Sequence, residues 1–305
     1  MESETLTLCC YNIEIRIIDN AELGLCQRLP EVLPPEFTLP GAPFEVAVTY
    51  VVTLNIAPGQ REASEFLVTC DDTTVFATAE EEEVYEWLRR DIDLTVARRA
   101  PQRLFVHAGV VGWRGVGIVI PGRDAIGKTT LVAELVRRGA VYYSDTFAVF
   151  DEQVRLHPYR NPIELEPGDS EQPNNLRLIR DDGSTEPLPL GLIVSGAYTA
   201  DIEWQPILLR GPQVAGLLLD DSVLVGEGVT PREQIAVQAA RDAVALCGPR
   251  AEAEEVAALL LDLIDDALVS RALDANGDNL RRLADDLVRD AELRLQTPDS
   301  RLASP

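Results

Sequence analysis

Ten residues of this chain, Pro121-Gly-Arg-Asp-Ala-Ile-Gly-Lys-Thr-Thr130, have types and spacing that can do chemistry. They read G-x-x-x-x-G-K-T, the Walker A or P-loop pattern, with Gly122, Gly127, Lys128 and Thr129 in the fixed positions. Arg123, Asp124, Ala125 and Ile126 fill the variable ones, and Thr130 follows. Glycines let main-chain N–H groups wrap a polyphosphate, and a helix N-terminus adds the positive end of its dipole. The Lys128 ammonium is suited to β/γ-phosphate oxygens, and the Thr129 hydroxyl to Mg²⁺. The chain has 27 Lys+Arg, and Lys128 is its one lysine, at a point where a guanidinium fork fits poorly. A chance glycine-rich turn is the bland alternative. The setting argues against it, since the apolar run Val116–Ile120 precedes the loop and a helical pattern, Thr130–Arg138, follows it, with Gly139 at the C-cap. This stretch implies a bound nucleoside phosphate.

Two further residues stand close by in sequence. Asp145 ends the short β-like run Val141-Tyr-Tyr-Ser, where a Walker B-like carboxylate would hold Mg²⁺ or its water; the other reading is a turn or N-cap aspartate. His107 lies mid-strand in Arg103–Val111, and by itself reads first as a hydrogen-bonded core residue. Arg123 and Arg160 are either charge stabilisers for a transferred phosphoryl group or plain surface arginines.

The elements that must position these residues alternate between strand and helix. Residues 1–78 read as a small β-rich domain. Its strands are Leu6–Tyr11, Ile13–Ile18, Phe44–Ile56 and a hairpin, Phe66–Cys70 and Thr74–Ala77, turning at Asp71-Asp72. The proline-rich stretch Leu29–Pro43 between them reads as loop. Residues 79–295 read as a P-loop domain, entered by a helix to about Arg99 that the Thr78–Glu81 spacing would cap. A hairpin turning at Gly112–Gly115 leads into the loop strand, and strands 147–150, 154–160, 190–195 and 203–209 follow. Ala215–Leu219 is an apolar run of undecided type. Helices open at Thr230-Pro and span about 251–273 and 278–294, with core-facing leucine stripes. The polar stretch 167–189 reads as a flap or an insertion, and 296–305 as a disordered tail.

Composition sets the limits on partners. A net charge of −24 repels phosphate backbones, so no nucleic-acid partner is expected. The N-terminus lacks signal-peptide character and no apolar run has membrane-span length, so the expectation is a cytoplasmic protein with no membrane partner. Five cysteines, odd in number and without C-x-x-C spacing, read as buried thiols.

From His107-Ala-Gly-Val-Val through the P-loop and Ser144-Asp-Thr-Phe-Ala to His157-Pro-Tyr-Arg, the chain resembles the HPr kinase/phosphorylase family and its divergent relatives. That resemblance implies an α/β fold, a P-loop kinase domain with a mixed sheet and flanking helices, akin to ATP-dependent phosphoenolpyruvate carboxykinases. It implies ATP and Mg²⁺ as cofactors, with Lys128 and Thr129 on phosphates and metal. Asp145 becomes the catalytic base or metal-linked acid, and His107 pairs with it. The family's second acid is Thr146 here, which Asp151, Glu164 or Glu166 would have to replace, and the downstream glycine-rich signature is absent. The expected activity is phosphoryl transfer to a hydroxyl acceptor other than HPr. The alternative is an ATP-binding regulatory or scaffold protein with weak or no transfer. A homo-oligomer is compatible with either.

Overall fold

The chain is mixed α/β, as its alternating periodicities require. The computed structural model describes residues 3–41, 46–56, 64–100, 102–123, 126–161, 186–223, 231–271 and 282–289. Asp124, Ala125, Glu164, Glu166, Thr230, nearly all of the 167–189 stretch and the 296–305 tail lie outside them. The chain divides into two compact units, one of Met1–Arg103, Arg160–Pro162 and Val223–Gly226, the other of Leu104–Tyr159, Ile163–Ser222 and Glu227–Pro305.

The first unit carries a five-stranded sheet, β1(Glu4–Cys10), β2(Ile13–Asp19), β3(Val46–Ile56), β4(Ser64–Cys70) and β5(Thr73–Thr78), in that spatial order. All pairings are antiparallel except β2 with β3, whose crossover runs through α1(Leu25–Val32). The expected loop over 29–43 is thus helical at its start. Leu25 and Leu29, one turn apart, are fully buried and outweigh the N–H lost at Pro30. The turns Tyr11-Asn12 and Asp71-Asp72 both have two consecutive positive φ values, the geometry that matches strand twist in a tight hairpin.

α2(Glu81–Arg99) also belongs to this unit, so the division falls after Arg103 and not at the expected 78/79. The reason is its buried stripe, Val84, Leu88, Ile92 and Val96, together with Tyr50 of β3, whose hydroxyl bonds Asp91 Oδ2 at 2.7 Å and Thr95 Oγ1 at 2.8 Å. The expected capping box does not form. Glu80 is the N-cap, and Thr78 Oγ1 accepts from the Glu80 N–H while donating to Glu83.

The second unit holds β6(Leu104–Trp113), β7(Val116–Pro121), α3(Lys128–Arg137), β8(Val141–Ser144), β9(Phe147–Phe150), β10(Arg155–His157), β11(Leu188–Ser195), β12(Ile207–Leu209), α4(Pro212–Asp220), α5(Pro231–Asp242), β13(Val244–Cys247) and α6(Ala253–Arg271), with a further helical stretch at 282–289. The sheet order is β10-β9-β6-β7-β11-β13-β12, with β8 also on β6. One face packs Ile118, Ile120, Leu192 and Val194 against Leu131, Val132 and Leu135 of α3 and Val256 and Leu260 of α6. The other packs Val106, Ala108, Val110 and Val119 against Val214 and Leu218 of α4 and Ile235 and Ala239 of α5. The undecided run at 215–219 is therefore α4, and Val244–Cys247, unexpected from sequence, is a largely buried strand between β11 and β12. The five cysteines are unpaired; Cys10 is buried and the other four are partly exposed.

Candidate functional site

β7 delivers the chain to the phosphate loop and α3 leaves it. Gly127 is the helix N-cap with φ 77, and a Cβ there would stand 3.1 Å from Tyr198 Cβ, so both conformation and space select glycine. Lys128 is 9% exposed and its Nζ donates to the Arg123 carbonyl at 2.7 Å, folding the ammonium back across the loop. Gly139 (φ 100) ends α3, with its N–H on Val136 O and that of Ala140 on Leu135 O.

The acid arrives through sheet register. β8 and β9 both run antiparallel to β6; Val110 opposite Ser144 continues the alignment of His107 opposite Phe147, while a register shift between Val110 and Val111 sets Val111 opposite Tyr142 and Gly112 opposite Val141. They are one strand interrupted at Asp145-Thr146, and Asp145 faces Gly109. Because β6 is antiparallel to both neighbours, β8 runs parallel to β7, and its end reaches the same sheet edge as the phosphate loop. Two strand spacings, about 10 Å, separate β8 from β7. α3 closes that distance by lying over Gly109, where a Cβ would come within 2.4 Å of Val132 Cγ2 and 3.6 Å of Asp145 Oδ1. The result is that Thr129 Oγ1 donates to Asp145 Oδ2 at 2.7 Å. Gly109→Ala should push α3 off the sheet at a cost of about 1–3 kcal/mol, read as a lowered urea midpoint together with weakened Mg²⁺-dependent nucleotide binding.

Burial raises the Asp145 carboxyl from its ordinary 3.8 to about 6, against the downward pull of the Thr129 hydroxyl and the Lys128 charge. Its Oδ1 is buried with no hydrogen-bond partner. An orphaned carboxylate oxygen beside a threonine hydroxyl at the head of α3 is a donor set that suits Mg²⁺, which takes one or two protein oxygens and completes its shell with phosphate and water. No cluster of three or more His, Cys, Asp or Glu that could hold a metal occurs among the described residues.

His107 lies on the same sheet face, two residues from Gly109. Its carbonyl accepts from Gly122 N at 2.9 Å, its N–H donates to Asp221 O at 2.8 Å, and its ring stands 4.9 Å from that of Phe147. A positive charge on its ring would favour the ionised form of Asp221. Asp221, at the C-terminal end of α4, went unnoticed in the sequence. Burial pushes its carboxyl up while Arg123, His107 and Lys128 pull it down, which sets it among the phosphate-loop cations. Arg123 is exposed, and its Nη2 donates to Asp220 O at 3.1 Å.

No protein-family model matches the chain, and no curated protein matches it. Among solved structures it is similar to the HPr(Ser) kinase/phosphatase from Coxiella burnetii, with 16% identity over 55% of this chain and 98% of that one and a TM-score of 0.33. That likeness is distant, and the functional reading below stands on this chain's own residues.

Of the substitutes for the acid at Thr146, Asp151 is already engaged. Its Oδ1 accepts from Gln153 N and Arg155 N, and its Oδ2 meets His157 Nε2 at 2.8 Å, closing the β9–β10 turn. Arg160 belongs to the first unit and is held by Glu36 at 2.7 Å. A residue the sequence did not single out braces the loop instead. Arg250, 2% exposed, donates to Gly196 O at 2.6 Å, Gly127 O at 3.3 Å and Ile126 O at 2.5 Å. With those carbonyls turned toward Arg250, the loop's N–H groups are left to face the other way, toward an anion.

Proposed function

We propose that this chain is an ATP- and Mg²⁺-dependent kinase of the HPr kinase type that transfers the γ-phosphoryl group to a hydroxyl acceptor. The observation that carries it is the Thr129–Asp145 contact with the Asp145 Oδ1 left unpartnered. On this reading a desolvated carboxylate, suited to taking a hydroxyl proton or to holding Mg²⁺, would stand beside the γ-phosphate. Lys128 would neutralise phosphate charge, exchanging the Arg123 carbonyl for phosphate oxygens. Thr129 and Asp145 would hold Mg²⁺, which supplies charge neutralisation when bound. The backbone of 122–130, Asp124 and Ala125 included, would cradle the phosphates, and His107 and Asp221 would line the acceptor side. Catalysis of this kind is chiefly positioning and electrostatics.

The test is incubation of the purified protein with labelled ATP, Mg²⁺ and pooled hydroxyl metabolites and peptides, beside Lys128→Ala. Label should enter an acceptor with the parent protein and not with the variant. Lys128-dependent ATP binding with no transfer to any acceptor would instead support an ATP-binding regulatory protein. The feature that favours this second reading is Thr146, where an acid is expected; its backbone carbonyl is engaged by Ala108 N at 3.2 Å.

A further inference from the structure

Three strands of the second unit, β7, β11 and β13, run parallel. Ligands of open α/β sheets gather outside the carboxyl ends of such strands. Here those ends are the phosphate loop, the segment Gly196–Thr199 and the segment Gly248–Glu252, and they are laced together. Gly248 N donates to Ser195 O at 3.0 Å, Arg250 N to Ala197 O at 2.8 Å, Thr199 N to Arg250 O at 2.8 Å, and Tyr198 N to Ile126 O at 3.2 Å. Asp145 lies on the β6 side of β7, so under the proposed function the metal and γ-phosphate end lies there. The α-phosphate and nucleoside would then extend the opposite way, over the ends of β11 and β13.

On that side stands Tyr198. Its side chain is seated against Gly127, its hydroxyl donates to Glu252 Oε1 at 2.8 Å, and the residue nevertheless remains 48% exposed. A half-exposed aromatic ring tied at both ends, by its main chain to the phosphate loop and by its hydroxyl to Glu252, is a pre-oriented flat surface with little freedom left to lose on binding.

We propose that the Tyr198 ring is the platform on which the nucleobase stacks, with Glu252 fixing the ring in place. This rests on the phosphate loop binding a nucleotide and adds which residue recognises its base. Because every base has a π-face, the platform discriminates nucleotides from bare polyphosphate and not adenine from guanine.

Calorimetric titration of the Mg²⁺ complexes of ATP, GTP and inorganic tripolyphosphate into the full chain tests it. Tyr198→Ala should weaken ATP and GTP alike by about tenfold and leave tripolyphosphate unchanged, while Tyr198→Phe, which keeps the ring, should stay within about threefold of the parent for ATP. Equal weakening of tripolyphosphate and ATP by Tyr198→Ala would overturn the proposal, since Tyr198 would then only brace Gly127. Unchanged ATP affinity would overturn it too. In both cases Lys128-dependent tripolyphosphate binding by the parent leaves the phosphate-loop reading intact. A parent that binds neither ligand ends both.

Discussion

Asp145→Asn should abolish transfer and yet make the protein more stable at neutral pH. The loss follows from the chemistry assigned to the carboxylate. An amide can still accept the Thr129 hydroxyl, but it takes no proton and binds Mg²⁺ poorly, so turnover should fall by about 10³-fold or more, the scale of removing general-base catalysis and metal ligation together. The gain follows from linkage. The folded carboxyl titrates near 6 and the unfolded one near 3.8, so the native state holds the extra proton. The contribution of Asp145 to stability is therefore fully present below about pH 4 and is lost as pH rises through 6. Asparagine has no such loss. A shift of this size corresponds to about 2–3 kcal/mol, so the advantage of the variant should be absent at pH 4, grow to pH 6 and level off above it. Urea titrations of both proteins from pH 4 to 8 measure that curve. A constant offset would mean that Asp145 is not held in a desolvated position. Adding Mg²⁺ with nucleotide should stabilise the parent and not the variant, reversing their order.

Arg250→Met should unfold more easily and lose most nucleotide affinity. Two effects oppose each other at this residue. Desolvation is costly enough to pull the guanidinium down to about 10, with no carboxylate among the described residues offsetting it. Against that stand three charge-assisted bonds to main-chain carbonyls, each contributing about 1.5–3 kcal/mol. The bonds outweigh the desolvation, and methionine removes both while leaving the carbonyls of Ile126, Gly127 and Gly196 without their donor. A net destabilisation of at least about 2 kcal/mol is expected, measured as a lowered urea midpoint, with nucleotide affinity down by more than tenfold because the loop is no longer braced. Arg250→Lys should behave nearly as badly, because a single ammonium cannot span three acceptors in the plane of a guanidinium. A variant as stable as the parent would show that water replaces the lost donors.

What the sequence disclosed and what it hid divide along contact range. The phosphate loop is ten consecutive residues whose chemistry is local, and the hairpin turns at Asp71-Asp72 and Arg114-Gly115 announce themselves in two. Asp145 was legible because it closes a short β run soon after the loop helix. Arg250, Tyr198 and Asp221 were not, because each acquires meaning only when β11 and β13 pair beside β7 or when α4 ends at His107. β13 carried no warning, since four apolar residues between two helices look the same in a strand as in a helix end. α1 was hidden by Pro30, and α2 was placed in the wrong unit because its partner, Tyr50, lies 45 residues before Thr95.

The interrupted strand β8–β9 has a further consequence. Asp145 is aimed by the pairing on either side of it, with Ser144 held opposite Val110 and Phe147 opposite His107. Before it, Ser144 stands opposite Val110 and its hydroxyl accepts from the Thr146 and Phe147 N–H groups, closing the interruption. A deletion or insertion of one residue between Ser144 and Phe147 would break that pairing and move the carboxylate off Thr129, while leaving the length of the sheet and its apolar content almost unchanged. Loops elsewhere can drift in length with little effect on chemistry. At this strand the reading frame of the backbone hydrogen bonds is itself part of the site, and a one-residue shift would silence it in a protein that still folds.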